Sequence, residues 1–449
     1  MTATLPITCV YEGRLDGASR SGAALNWARA NGFKGQYGKL LAVPGEEGQL
    51  EGYFFGMGTA DDRQPLVLGL AAAALDPGQY RLEGDFGDPT LAALAFSLGA
   101  YRFDRYKARA DAPVLELPRE ADGAQVTRLA AATTLARDLI NTPANDLGPD
   151  QFEARVRTFA SDRKMSISVI TGDALLKKNF PMIHAVGRAS AEPPRLIDLS
   201  WGEASDPKLT LVGKGVTFDT GGLNIKPSSG MALMKKDMGG AANVLGLAHA
   251  IIDAKLKVRL RVLLPIVENA ISGSSFRPGD VLPSRKGLTV EIGNTDAEGR
   301  LILADALALA DEEDPDLVID MATLTGAARI ALGPDLPPLY ARDQGLGEKI
   351  VAAGLAVDDP VWSLPLWKGY EKMLASKIAD VNHITSAPFA GSITAALFLN
   401  KFLKPETNWV HLDIFGWAPE ARPGRPFGGT DQGIRAVFEV LREKYGAIG

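Results

Sequence analysis

From residue 165 onward, short apolar runs alternate with longer amphipathic ones. "SISVITG", "RLIDLSW", "LTLVGKGVTFD", "RLRVLLPIV", "LTVEIGN", "LVIDMATL" and "WVHLDIFGW" have the length and β-branched content of strands. Between them, "AANVLGLAHAIIDAKL", "RLILADALALADEED" and "ITAALFLNKFLK" carry the apolar spacing of helices. That succession predicts an α/β domain built on a mixed, mostly buried sheet.

The first 110 residues or so read differently. Strand candidates "GKLLAVPG", "EGYFFGMG" and "QPLVLGLAA" are separated by Gly and Pro, and "LAALAFSLGAYRF" reads as a closing helix. Pro and charge then break the pattern at "KARADAPVLELPREADG". A helix follows in "AQVTRLAAATTLARDLI"; Asn141 and Pro143 stop it, and Pro149 opens the next one. The expected organisation is a small N-terminal α/β domain (1–120), a linker helix (121–145) and a larger C-terminal α/β catalytic domain (146–449).

The chain has 449 residues, 46% hydrophobic and 23% charged, which suits two or three globular domains. No apolar run reaches the roughly eighteen residues that suggest a membrane span. The N-terminal stretch "MTATLPITCVYEGRLDG" lacks the basic-then-apolar layout of a secretory signal. Cys9 is the single cysteine, which excludes an internal disulfide and a cysteine-based zinc cage. A cytoplasmic protein is expected. The net charge of −6, without long basic blocks, argues against nucleic acid as the main partner.

The chemistry concentrates in three loops. "NTDAEGR" sets Asp296, Glu298 and Arg300 before an apolar helix. Thr295 and Glu298 have capping-box spacing, so a plain helix start competes with a site. "VGKGVTFDTGGLNIKP" places Lys214, Asp219 and Lys226 at the ends of apolar runs, where charge is costly to bury unless paired or metal-bound. "MKKDMGGAA" puts Asp237 ahead of a helix. Each piece alone is more often a turn former, a cap or a solvated cation. If the four carboxylates converge, their repulsion requires protons or a cation, and four suffice to neutralise two divalent ions. The histidines His184, His249, His383 and His411 are scattered and no H-E-x-x-H occurs. An oxygen-rich centre is expected, favouring Mn²⁺, Mg²⁺ or a tolerant Zn²⁺ site. A metal-dependent hydrolase is the best of several readings, with a metallophosphatase as runner-up.

Taken in order, these loops resemble those of the leucyl (cytosol) aminopeptidases. "DLVIDMATLTGA", "ARDLINTPANDLGP", "IADVNHI" and "GSITAALFL" extend the resemblance over about residues 125 to 420. It implies a two-metal exopeptidase that releases an N-terminal residue, Leu or another apolar one preferred, from peptides with a free amino terminus. It places a tight metal on Lys214, Asp219, Asp237 and Glu298, and an exchangeable one on Asp219, Asp296 and Glu298. Mn²⁺ or Zn²⁺ is implied, with Mg²⁺ admissible in the exchangeable site. Lys226 and Arg300 match the family's catalytic residues, Arg300 holding bicarbonate as general base. Met234 and Thr323 match residues lining the pocket for the first side chain. A homo-hexamer is also implied; some members bind DNA, a role the acidic balance opposes here. The chain departs from the family in a shorter first domain, in Ala232, and in "FGGTDQGIRAV" after "RPGRP".

Overall fold

The computed structural model describes residues 4–62 and 64–446. The chain forms two compact units, Met1–Thr134 with Ala418–Gly428, and Leu135–Trp417 with Gly429–Gly449. The division falls within the helix Gly123–Asn141.

The first unit holds a five-stranded sheet in the order Leu40–Pro44, Leu50–Gly58, Leu5–Tyr11, Gln79–Gly84, Val114–Leu115. All pairs are parallel except the first. "QPLVLGLAA" is not a strand here. Its second half opens the helix Leu68–Ala74. A short apolar run is ambiguous between strand and helix; the alanines that follow favour helix, and Gly69 settles the packing. A Cβ built on Gly99 would meet the Gly69 carbonyl oxygen at 2.1 Å, so the helices Leu68–Ala74 and Pro89–Gly99 meet backbone to backbone.

The second unit is organised by a mixed nine-stranded sheet. Its path runs Trp362–Ser363, Pro338–Ala341, Trp409–Asp413, Leu317–Ala322, Lys208–Gly213, Arg259–Asn269, Arg195–Trp201, Ser166–Thr171. The four central strands are parallel, and antiparallel strands flank them on both sides. Strand Leu317–Ala322 is buried at every position, as a strand covered by helices on both faces must be. Its one charge, Asp320, accepts hydrogen bonds from Trp409 Nε1 and pairs with His411 Nδ1, both at 2.6 Å. His411 is therefore a core residue, held through Nδ1. "LTVEIGN" contributes Thr289–Glu291 to a separate three-stranded sheet with Val281–Pro283 and Val381–Asn382.

"LTLVGKGVTFD" forms two strands rather than one, Lys208–Gly213 and Gly215–Asp219, both paired to Arg259–Asn269. The ladder breaks across Leu264 and Pro265, and proline has no N–H to give. Opposite that break the Lys214 amide donates instead to the Met321 carbonyl, at 3.1 Å. Lys214 thus leaves the ladder at the carboxyl end of the central parallel strands, where α/β sheets place their sites.

Candidate metal centre

Lys214, Asp219, Asn269, Thr323 and Asp413 all stand at or just beyond strand ends on this edge of the sheet. The Lys214 side chain passes over the start of the helix Gly299–Asp311. A Cβ at Gly299 would lie 2.5 Å from Lys214 Cε, so the glycine there leaves room for the lysine. The Lys214 amine donates to the Thr323 carbonyl at 2.9 Å and lies 2.7 Å from Asp237 and 3.0 Å from Glu298.

Asp219 is fixed from two sides. Its Oδ1 accepts from the Gly221 amide (2.8 Å) and from Asn269 Nδ2 (2.7 Å), while Oδ2 lies 2.8 Å from the Lys226 amine. Gly221 has φ +88°, a backbone region that suits glycine, and it lets the loop double back on the carboxylate. Asp237 sits in the 3₁₀ turn Met234–Met238 and accepts from the Thr323 hydroxyl at 2.8 Å. Asp296 pairs with the Lys226 amine.

The "NTDAEGR" loop does not form the capping box its spacing suggests. Asn294 caps the turn by accepting from the Asp296 amide at 2.9 Å. The Thr295 hydroxyl instead donates to the Gly221 carbonyl (2.6 Å) and accepts from the Asn224 amide (2.8 Å), tying two site loops together. Glu298, freed from capping, turns its carboxylate into the cluster, and only 1% of the residue is exposed.

Asp219, Asp296 and Glu298 each offer an oxygen such that all three lie within 4.8 Å of one another. Burial pushes Asp219 well above the usual carboxylate range, and the charges of Glu298 and Asp237 add to it. Burial likewise raises Asp237 and Asp296. For Glu298 burial pushes upward too, but the Lys214 and Lys226 ammonium groups outweigh it and pull the group down. Of the buried oxygens of Asp237, Asp296 and Glu298, Glu298 Oε2 has neither a hydrogen bond nor an ammonium at ion-pair distance. The two ammonium groups meet the other three, Asp237 Oδ2 and Glu298 Oε1 from Lys214 and Asp296 Oδ1 from Lys226. Buried carboxylate oxygens without donors are costly, and this all-oxygen set with one amine matches the ligand chemistry of hard or borderline divalent cations.

Arg300 lies beside the cluster with Nη1 on the His383 carbonyl at 2.8 Å and Nε without a partner. Burial lowers it to about 10, so it remains a guanidinium at neutral pH. His383 is held low, about 3, by burial and by Arg300. Its ring bonds the Gly293 amide and the Asn294 carbonyl, which makes it a brace for the loop.

All nine residues singled out from the sequence (Lys214, Asp219, Lys226, Met234, Asp237, Asp296, Glu298, Arg300, Thr323) line one cavity of about 270 Å³. Among the further residues that line it are Asp413 and Lys236, which no motif in the sequence marks. Asp413 closes a buried strand and accepts from the Leu324 and Thr325 amides, both at 3.0 Å. Its position at a strand end beside a site loop is the same signal that marked Asp219. Lys236, one of two adjacent lysines before Asp237, is only 5% exposed. Burial lowers its amine to about 8, with the Asp237 charge opposing.

The cytosol aminopeptidase family catalytic domain matches residues 134–438, and the M17 aminopeptidase N-terminal domain matches 6–118. A probable cytosol aminopeptidase of Roseiflexus castenholzii is 42% identical over 365 residues, 77% of this chain and 74% of that protein. Its counterpart in Caulobacter vibrioides is 38% identical over 94% of this chain and 90% of its own length. The crystal structure of a cytosol aminopeptidase from Coxiella burnetii superposes with a TM-score of 0.93 at 45% identity, covering 99% of this chain and 98% of that one. The bottromycin maturation enzyme BotP in complex with Mn gives 0.90 at 34%, covering 98% of this chain and 100% of that one. The chain belongs to the cytosol aminopeptidase family.

Proposed function

We propose that this metallo-aminopeptidase holds two divalent ions, Mn²⁺ or Zn²⁺, on the converging carboxylates and releases the first residue of peptides there. Lys214, Asp219, Asp237 and Glu298 would hold the tighter ion, and Asp219, Asp296 and Glu298 the exchangeable one, where Mg²⁺ is also admissible. The observation that carries the reading is the convergence of the carboxylates, with oxygens of Asp219, Asp296 and Glu298 all within 4.8 Å of one another. The chemistry two such ions supply is a water made nucleophilic near neutral pH and a polarised carbonyl.

The chain's own residues supply the rest. Lys226 stands between Asp219 and Asp296, where its ammonium donates to the oxygen that becomes negative as the peptide carbonyl is attacked. Arg300 is anchored through Nη1 on the His383 carbonyl and keeps an Nε–H without a partner, a charged donor suited to an anion such as bicarbonate, which would supply a base there. Met234 and Thr323 receive the first side chain. Thr323 has a second task, because its hydroxyl orients Asp237 and its carbonyl holds the Lys214 amine. A hexamer working in the cytoplasm is the assembly and setting we propose; among the described residues no helix is long and apolar enough to cross a membrane.

The test compares a Leu-initiated peptide with its N-acetylated form, with Mn²⁺ and after chelation. Turnover of the free-amine peptide alone, lost on chelation and restored by Mn²⁺, is expected. Equal turnover of the two peptides would overturn the exopeptidase reading.

A further inference from the structure

The Phe415 ring carries two cations. The Lys236 amine lies 5.1 Å from the ring centroid and the Arg329 guanidinium carbon 4.4 Å from it. All three residues line the same cavity as the carboxylate cluster, together with Met234 and Thr323. Among the described residues neither cation has a carboxylate within ion-pair distance, nor does either side chain make a hydrogen bond.

For Lys236 this is expensive, because the residue is 5% exposed. A buried ammonium without a carboxylate is costly, and a ring face returns only part of that. The neighbouring Asp237 favours the ammonium by its charge but makes no ion pair with it; its oxygens face the Thr323 hydroxyl and the Lys214 amine. Lys236 stands two residues after Met234 in the same 3₁₀ turn. Phe415 precedes Gly416, where a Cβ would come 3.3 Å from the Thr323 methyl. The pair of cations therefore belongs to the wall that Met234 and Thr323 form.

We propose that Lys236 and Arg329 make an anion subsite that reads a carboxylate on the first side chain of the peptide, so that N-terminal Glu and Asp are taken as well as apolar residues. This rests on the reading above that the first side chain lies along Met234 and Thr323. The ammonium supplies a point charge at the buried end, and the exposed guanidinium supplies a forked pair of donors nearer solvent.

The experiment measures kcat/KM for Glu-, Gln- and Leu-initiated dipeptide amides with the Mn²⁺-loaded protein, and for the matching free acids. Glu and Gln have nearly the same shape, so their ratio reports charge. One charge-assisted contact corresponds to about tenfold to hundredfold; Glu should exceed Gln by that order. Lys236→Met and Arg329→Gln should each bring the Glu/Gln ratio down toward one. A ratio at or below one in the unaltered protein, or a ratio that neither substitution moves, overturns the proposal. So does a gain that follows the free C-terminal carboxylate whatever the first residue is, since the cations would then read the other end of a dipeptide. Calorimetric titration with L-glutamate and L-glutamine tests the subsite without turnover. Tighter glutamate binding that Lys236→Met abolishes supports it even if no peptide is cleaved, and equal binding overturns it even if all are.

Discussion

The Lys214 amine lies 2.7 Å from a carboxylate oxygen of Asp237, and each side chain is only 4% exposed. Without metal, the pair is an ammonium beside a carboxylate, and the charges of Asp237, Glu298 and Asp219 hold the lysine protonated against the pull of burial. To act as a ligand the amine must lose that proton, for which a neighbouring dication supplies the drive. Arginine stays protonated in proteins. Lys214→Arg should therefore retain metal poorly and need more Mn²⁺ for activity, while circular dichroism still reports a folded chain. A lysine that serves only as an ion-pair partner predicts the reverse, and unchanged metal content in the variant would establish that.

Gly299→Ala should reproduce much of this defect without altering a ligand. The added Cβ would meet Lys214 Cε at 2.5 Å and Nζ at 2.7 Å. Alanine gains up to about 1 kcal/mol of helix propensity over glycine, against about 1–3 kcal/mol for overpacking. Thermal stability should change little while metal stoichiometry falls, as measured by elemental analysis. A fully metallated variant with normal activity would show that the lysine has room to move.

Lys226→Met removes the ammonium that lies 2.8 Å from Asp219 and also pairs with Asp296. Its proposed partner in catalysis is the developing oxyanion, so kcat should fall by about 10²–10³. Two ions per chain should remain. Loss of metal from the purified variant would reassign Lys226 to the construction of the centre.

Asp413→Ala should loosen the loop after Leu317–Ala322. The carboxylate accepts from two amides, from the Thr325 hydroxyl at 2.6 Å and from Ser392 at 3.0 Å. Leaving such buried donors unpaired costs roughly 1–3 kcal/mol each where water cannot replace the acceptor. A lower thermal midpoint and a raised KM are expected together. A normal KM with reduced stability would confine Asp413 to the fold.

Asp305 should make stability fall as pH rises. Its carboxylate is fully buried, accepting from the amides of Arg285 (2.8 Å), Met182 (2.9 Å) and Ile183 (3.3 Å). Burial pushes it from 3.8 up to about 7 despite those bonds. Between these values the folded chain holds a proton that the unfolded chain has lost, so the favourable contribution is complete at acid pH and disappears as pH passes the folded value. Asp305→Asn should flatten the dependence of the thermal midpoint between about pH 4 and 7. An unchanged slope would assign that dependence to other groups.

Much of this was legible in the sequence because the informative residues break a pattern. Lys214 and Asp219 are charges inside runs that otherwise alternate as buried strand, and Asp296 and Glu298 crowd a helix start. What stayed hidden depended on tertiary partners. The spacing of Thr295 and Glu298 is that of a capping box, but the Thr295 hydroxyl finds a better use between Gly221 and Asn224. "QPLVLGLAA" became partly helix because Gly69 admits a neighbouring helix at close range. Nothing in "MKKD" separates Lys236 from Lys235; only the fold shows it enclosed beside Phe415.

The lysine bound to Met321 and Thr323 also bears on when, during its own synthesis, this chain becomes a peptidase. All the carboxylates of the centre have been translated once Glu298 is made, yet two of the contacts that hold Lys214, at the Met321 and Thr323 carbonyls, wait for residues more than a hundred positions after it. The strand that brings them, Leu317–Ala322, lies between Lys208–Gly213 and Trp409–Asp413, so its second neighbour follows it much later in the sequence. Pairings between such distant segments form slowly and late. A nascent chain therefore carries the ligands well before it can gather them, and an unfinished copy is an inert one rather than a weakly active hydrolase loose among other growing polypeptides.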